Sequence, residues 1–331
     1  MKIKKLSALI ISTFALNAQA DENSSFDMFI SGEAGYNQTS PKINESLLDG
    51  SLLGEGGAYS LSNSNDTSYK TRASFSYTDP NQFGVQVDGV YARNGMDKST
   101  ASTVDLAGHA FYRTDKYLLG AITQYRKPSL KLNDEYGYLL TDILAPDQFF
   151  WGAEGQAYFG KFTLYGQIAR QEFINQSNYG YAELGSGLGD HGLALSLKAR
   201  YFINDNWRLD GSYAYNKVYL NNSILDGIDI YSEIGKSAHQ NTFGLATEYR
   251  FANKPYSITA SYEHTSIDLF GGLFSVDTNR AMVGFRLNFG KDSLRSRDQS
   301  GASLDPISQD ALFSTAIGSI YSTLDLTLPP T

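Results

Sequence analysis

The chain has 331 residues, a formal net charge of −8, no cysteine, and a mean hydropathy of −0.31 although 13% of its residues are aromatic. The acidic balance argues against nucleic acid as a partner, and the lack of cysteine excludes disulfides, leaving sheet closure or a large core to supply stability. After the first twenty residues no stretch approaches eighteen consecutive apolar residues, which excludes helical membrane spans.

Residues 1–20 read as a secretory signal peptide. Lys2, Lys4 and Lys5 form the positive start, an apolar run extends from Leu6 to Leu16, and Ala18, Gln19 and Ala20 offer a small-x-small cleavage site before Asp21. The run is too short for a permanent membrane helix, a polar stretch follows at once, and no cysteine marks a lipoprotein. Loss of the three lysines takes the formal charge to −11.

Residues 21–290 read as one domain of about twelve alternating segments: 28–36, 69–78, 83–92, 103–113, 117–125, 149–159, 162–171, 193–202, 207–216, 242–251, 256–264 and 280–289. In the clearest, Leu193, Leu195, Leu197, Ala199 and Tyr201 share one face, and Ser196, Lys198 and Arg200 share the other. With 23 Tyr, 19 Phe and 31 Gly, a polar average without apolar runs is the composition of a membrane barrel, because each strand shows lipid only its alternate residues.

The connections alternate as well. Short, turn-forming links fall at 79–82, 114–116, 160–161, 204–205 and 252–255, and every other link is expected to be long. Such alternation is the pattern of short periplasmic turns and longer external loops. Leu52 and Leu53 in the first long link favour its folding inward. Tyr36, Tyr91, Tyr112, Tyr117, Phe159, Phe162, Tyr201, Trp207, Phe251 and Tyr256 lie near strand ends, as aromatic girdles at a membrane interface would.

The last segment reads Met-Val-Gly-Phe-Arg-Leu-Asn-Phe from Met282 to Phe289. Its glycine, hydrophobic residue and final aromatic (Gly284, Leu287 and Phe289) resemble the closing strand of bacterial outer-membrane β-barrels. The resemblance implies recognition by the barrel-assembly machinery. Beyond it, residues 291–331 form a tail, expected to be periplasmic, whose stretch 297–306 is similar to tails of porin-like barrels of α-proteobacteria. Residues 308–324 carry Leu312, Ile317 and Ile320 at helical spacing. Three fates stay open for this tail: docking under the barrel, entering it as a plug, or disorder.

Taken literally, the alternation points Lys70, Arg72, Lys198, Arg200, Arg208, Arg250, Arg280 and Arg286 inward, together with Glu33, Asp88, Asp105, His109, Glu154, Asp210, Glu248 and Glu263. So much charge requires water or dense pairing. Asp88, Asp105, His109 and Glu154 are expected on one wall and Arg72, Lys198, Arg200 and Arg286 on another; with Lys70 these are the pore-lining candidates. They would line a pore and set a transverse field across a constriction; ion pairs that only hold the barrel together are the other reading. The four histidines (His109, His191, His239 and His264) show no nucleophile signature or metal-ligand spacing, and Glu263 and His264, adjacent on a strand, point to opposite faces.

The sequence therefore leads to an all-β fold, an antiparallel transmembrane β-barrel of about twelve strands in a Gram-negative outer membrane. It resembles porins, which implies passive diffusion of small hydrophilic or charged solutes, with outer-membrane lipid as its surroundings and no catalytic residue, metal or cofactor. A barrel hydrolase with a rim histidine and carboxylate, and a non-conducting adhesion or structural barrel, are the alternatives. An autotransporter translocator is disfavoured because only residues 21–27 precede the first strand. The oligomeric state is left open.

Overall fold

The computed structural model describes residues 25–43, 63–96, 99–132, 146–174, 189–220, 237–272 and 274–307. Twelve strands follow one another: β1 (Ser25–Ile43), β2 (Ser64–Thr78), β3 (Phe83–Met96), β4 (Ser99–Arg113), β5 (Tyr117–Leu132) and β6 (Asp147–Phe159), then β7 (Phe162–Ile174), β8 (Gly189–Asn204), β9 (Trp207–Leu220), β10 (Ser237–Arg250), β11 (Tyr256–Leu269) and β12 (Phe274–Phe289). Each pairs antiparallel with its chain neighbours, and β12 returns to β1 with Phe289 opposite Met28, so the sheet closes. Closure leaves no free sheet edge, which a chain without disulfides uses as its main constraint. A short helix, α1 (Leu294–Ser300), follows.

Strand parity sorts the side chains cleanly. Leu119, Leu197, Leu245 and Val283 are more than 60% exposed on the outer wall, while Asp88, His109, Gln124 and Arg200 on the inner wall are buried. A continuous apolar outer surface of this kind exceeds the few hundred Å² patches that water-soluble monomers expose. At the short-turn end the aromatic residues touch one another along the wall. Phe83 meets Tyr112 (ring centroids 5.2 Å apart), and Trp207, Tyr249, Phe251, Tyr256 and Phe285 run as a chain of contacts of 5.3 to 6.4 Å.

The strands, 13 to 19 residues long, exceed the predicted segments and the roughly 9–11 residues a tilted span needs. They extend chiefly at the ends away from the short turns, where the alternation continues in the opposite sense: apolar Met96, Leu130, Val218, Ile267, Leu269 and Val276 are buried on the inner face, and polar side chains such as Lys127, Lys131, Asp268 and Asp277 take the outer one. Two connections expected to be long are consequently tight: β3 and β4 are joined by residues 97–98, and β11 and β12 by residues 270–273. The other four remain long, at 44–63, 133–146, 175–188 and 221–236. The short turns follow local chemistry. Asp79 Oδ1 accepts the Phe83 N–H at 2.9 Å, and Gly160 takes φ +62°, a conformation that costs glycine little.

Gly284 on β12 is placed by close packing. A Cβ there would lie 2.5 Å from Glu33 Cγ, 2.6 Å from Thr259 Oγ1 and 2.7 Å from the Gly32 carbonyl. Leu287 and Phe289, further along the strand, face the outer wall and are exposed. The signal peptide, the Leu52–Leu53 pair and the helical pattern at 308–324 lie outside the described residues.

Candidate functional site

The interior holds the chemistry. Of the fates left open for the tail, entry into the barrel is the one residues 294–307 adopt. Helix α1 crosses the short-turn mouth: the Arg295 amide donates to Asp205 O (3.1 Å), and Gln299 Nε2 donates to Gly160 O (3.2 Å). Ser293 caps the helix by accepting the Ser296 amide at 3.0 Å. Residues 301–307 then run up the lumen, extended, against the wall from β3 to β8.

Two apolar contacts anchor this run. Leu304 packs among Phe111, Leu118, Tyr158 and Tyr165, and Ile307 among Ile122, Phe150, Ala169 and Ala194. These wall residues face inward, where a water-filled lumen has no use for them. Side chains of the wall also satisfy the tail's backbone groups. Gln86 and Gln124 each pair with one residue of the run, Tyr165 Oη accepts the Asp305 amide (3.2 Å), and Gln167 Nε2 donates to Asp305 O (2.7 Å). Arg113 donates to Gly301 O at 2.9 Å and to Ser303 Oγ at 2.8 Å.

The charged groups are paired through the same segment. Asp305 receives Arg72 Nη1 at 2.7 Å, Lys198 Nζ at 2.6 Å and Arg200 Nη2 at 2.7 Å. Burial opposes its ionisation, but Lys198, Arg200 and Arg72 outweigh burial and hold its carboxyl well below the usual carboxylate range. Asp298 takes Arg200 Nη1 at 2.6 Å and the Thr163 hydroxyl at 2.6 Å. Arg297 lies 3.3 Å from Asp27 and over the Phe29 ring, with Arg72 and Arg286 on the same ring at 5.0 and 4.3 Å. Burial pulls the Arg297 guanidinium down to about 10, against the opposing pull of Asp27 and Glu248.

All the charged residues assigned inward do face the interior, but not as two opposed walls across open space. Arg72, on the strand next to Asp88, donates to it at 2.8 and 3.0 Å, and Arg126 holds Asp105 at 2.8 Å. His109 sits between Glu154 (2.8 Å) and Asp88 (3.2 Å), and Arg286 meets Glu248 at 2.7 Å. The lower lumen is an ion-pair network, because a low-dielectric interior tolerates charge only when it is compensated. Arg126 was missed by the sequence reading because it stands one residue past segment 117–125; Arg113, Asp298 and Asp305 were not singled out. The inward Leu118, Ile122 and Phe150 were the available signal of an inserted segment.

Above Ile307 a cavity of about 200 Å³ remains, lined in part by Glu33, Lys70, Asn94, Glu263 and Arg280. Arg280 binds Glu263 at 2.5 Å and Asn94 at 2.9 Å. Lys70 makes no ion pair among the described residues. The other histidines do not gather into a site: His264 meets Asn279 (3.0 Å), His239 meets Tyr215 (2.9 Å), and His191 stacks on Tyr219 (4.8 Å).

No family model matches the chain, and no curated protein matches it in sequence. The fold does match solved outer-membrane barrels. An outer-membrane channel from Pseudomonas putida F1 aligns over 82% of this chain and 98% of its own, at 12% identity and a TM-score of 0.55. The translocator domain of the autotransporter NalP from Neisseria meningitidis aligns over 86% of this chain and 96% of its own, at 13% identity and a TM-score of 0.44. The NanC porin aligns over 78% and 100%, at 13% identity and a TM-score of 0.42. The fold is that of outer-membrane β-barrels.

Proposed function

We propose that the chain is an outer-membrane channel for passive movement of small hydrophilic or charged solutes, with residues 294–307 as its plug. The observation that carries this reading is the origin of the filling. A barrel built only for rigidity fills its lumen with side chains of its own strands, as eight-stranded barrels do. Here a segment beyond the last strand fills it, enters from one mouth, and is held by noncovalent contacts. Withdrawal would join the polar cavity around Lys70 and Arg280 to the short-turn mouth. Export through residues 1–20, assembly guided by Gly284, Leu287 and Phe289, and a periplasmic tail at 291–331 belong to the same reading. Among the pore-lining candidates, Lys70 faces the cavity, cross-strand from Glu33, with no ion pair among the described residues.

The test is single-channel conductance of the refolded mature chain in a planar bilayer, with and without residues 291–331. Larger, stable steps on truncation are expected. Silence of both forms, with a heat-modifiable barrel on a gel, would overturn the channel and turn attention to a structural or binding barrel.

A further inference from the structure

Resting on the channel reading, the grip on Asp305 points to a class of solute. We propose that Arg72, Lys198 and Arg200 form a lumenal site for a carboxylate-bearing solute, and that Asp305 occupies this site as the chain's own stand-in. The two oxygens of Asp305 take three cations from two strands that are far apart around the barrel: Arg72 from β2 on Oδ1, and Lys198 and Arg200 from β8 on Oδ2, at 2.6 to 2.7 Å. Two acceptor oxygens bridged by guanidinium and ammonium groups are the recognition geometry of a carboxylate.

Charge counting makes the site an anion site once the tail leaves. Asp298 departs with Asp305, so both tail carboxylates that Arg200 holds are removed together. Arg72 keeps Asp88 (2.8 Å), and Asp210, cross-strand from Arg200, is already held by Arg208 at 2.8 Å. Lys198 and Arg200, neighbours on the inner face of β8, are left sharing the nearby Asp210 with Arg208 and short of counter-charge, a state that favours binding an anion. Arg72, Lys198 and Asp305 also border the cavity that continues to Lys70. A carboxylate arriving there meets the triad in competition with Asp305, so solute binding and plug release are one exchange of carboxylates.

The experiment uses the full mature chain in detergent, its fold checked by heat-modifiable migration, with succinate as the probe in calorimetry. Asp305→Ala and the isosteric Asp305→Asn should each bind succinate at least tenfold more tightly than the wild type. Adding Lys198→Gln or Arg200→Gln to either variant should remove that gain. Succinate binding that is equal in wild type and both Asp305 variants would overturn the site. Phosphate or chloride binding as well as succinate would overturn the carboxylate assignment. Bilayer conductance separates the two levels: a conducting barrel indifferent to succinate sinks this site alone, whereas tight succinate binding to a silent barrel sinks the channel and leaves the site.

Discussion

Gln86 reads Leu304 as a strand edge would: its Nε2 donates to the Leu304 carbonyl at 2.7 Å, and its Oε1 accepts the Leu304 amide at 3.2 Å. Gln124 repeats the arrangement on Ile307, accepting the amide at 2.7 Å and donating to the carbonyl at 3.4 Å. Three residues apart in the tail, these clamps fix its register without an added strand, because side-chain amides carry the same donor and acceptor pair as the backbone.

Replacing Gln86 with Leu leaves the buried Leu304 amide without its partner, at about 1–3 kcal/mol for an unsatisfied group, while the Leu304 carbonyl keeps Arg72 Nη2 at 2.6 Å. The expected outcome is faster amide exchange at residues 301–307 and faster tryptic cleavage after Arg297, while the barrel's heat-modifiable migration is unchanged. Unaltered exchange at Leu304 would show that the clamp is not what holds the tail.

Leu304→Ala removes the side chain at the centre of Phe111, Leu118, Tyr158 and Tyr165. A buried Leu→Ala change costs about 2–5 kcal/mol, and here the cost falls on docking of the plug, since the wall strands keep their ladders. Under the channel reading, the full chain should open spontaneously in bilayers, with step sizes near those of the form lacking 291–331.

At β12, Gly284→Val puts a side chain into space already held by Glu33 and Thr259. Overpacking costs about 1–3 kcal/mol, and it acts at the seam that closes the barrel. A lower yield of heat-modifiable barrel is expected on refolding, with no such loss for a Gly→Val change at Gly89, where nothing lies within 4 Å.

Acid should release the plug late. The Asp305 carboxyl is depressed by Lys198, Arg200 and Arg72 while docked, so its contribution is fully present above its undocked value of about 3.9. That contribution is lost only as pH falls through the lower, docked value. Protease protection after Arg297 should therefore hold from pH 7 to about pH 4, and Asp305→Asn should lose it already at pH 7.

Lys70→Glu reverses a cavity-facing charge that has no ion-pair partner among the described residues, so the reversal potential of the opened channel should shift toward cations. The same change at Arg286 strands Glu248 (2.7 Å away) beside a like charge, and destabilisation rather than selectivity is expected there.

The barrel was legible in the chain because lipid imposes a period of two wherever a strand crosses it. Leu193 to Tyr201 and Trp207 to Tyr215 show that alternation directly, and parity then assigned Arg200, Asp210, Glu248 and Arg286 to the interior without coordinates. What parity could not supply is neighbourhood around the ring and height along it. Those decided that Arg72 pairs with Asp88 instead of opposing it, and that Arg126 belongs with Asp105. Outside the lipid zone the alternation reverses, with Ile267, Leu269 and Val276 turned inward, so the strand ends lack an apolar outer face and the tight links at 97–98 and 270–273 read as long. The course of the tail was decided only in three dimensions: nothing local in residues 301–307 encodes an extended run through a lumen, because its partners Gln86, Gln124, Arg72 and Arg200 lie roughly one hundred to more than two hundred residues away and meet it only after the sheet has closed.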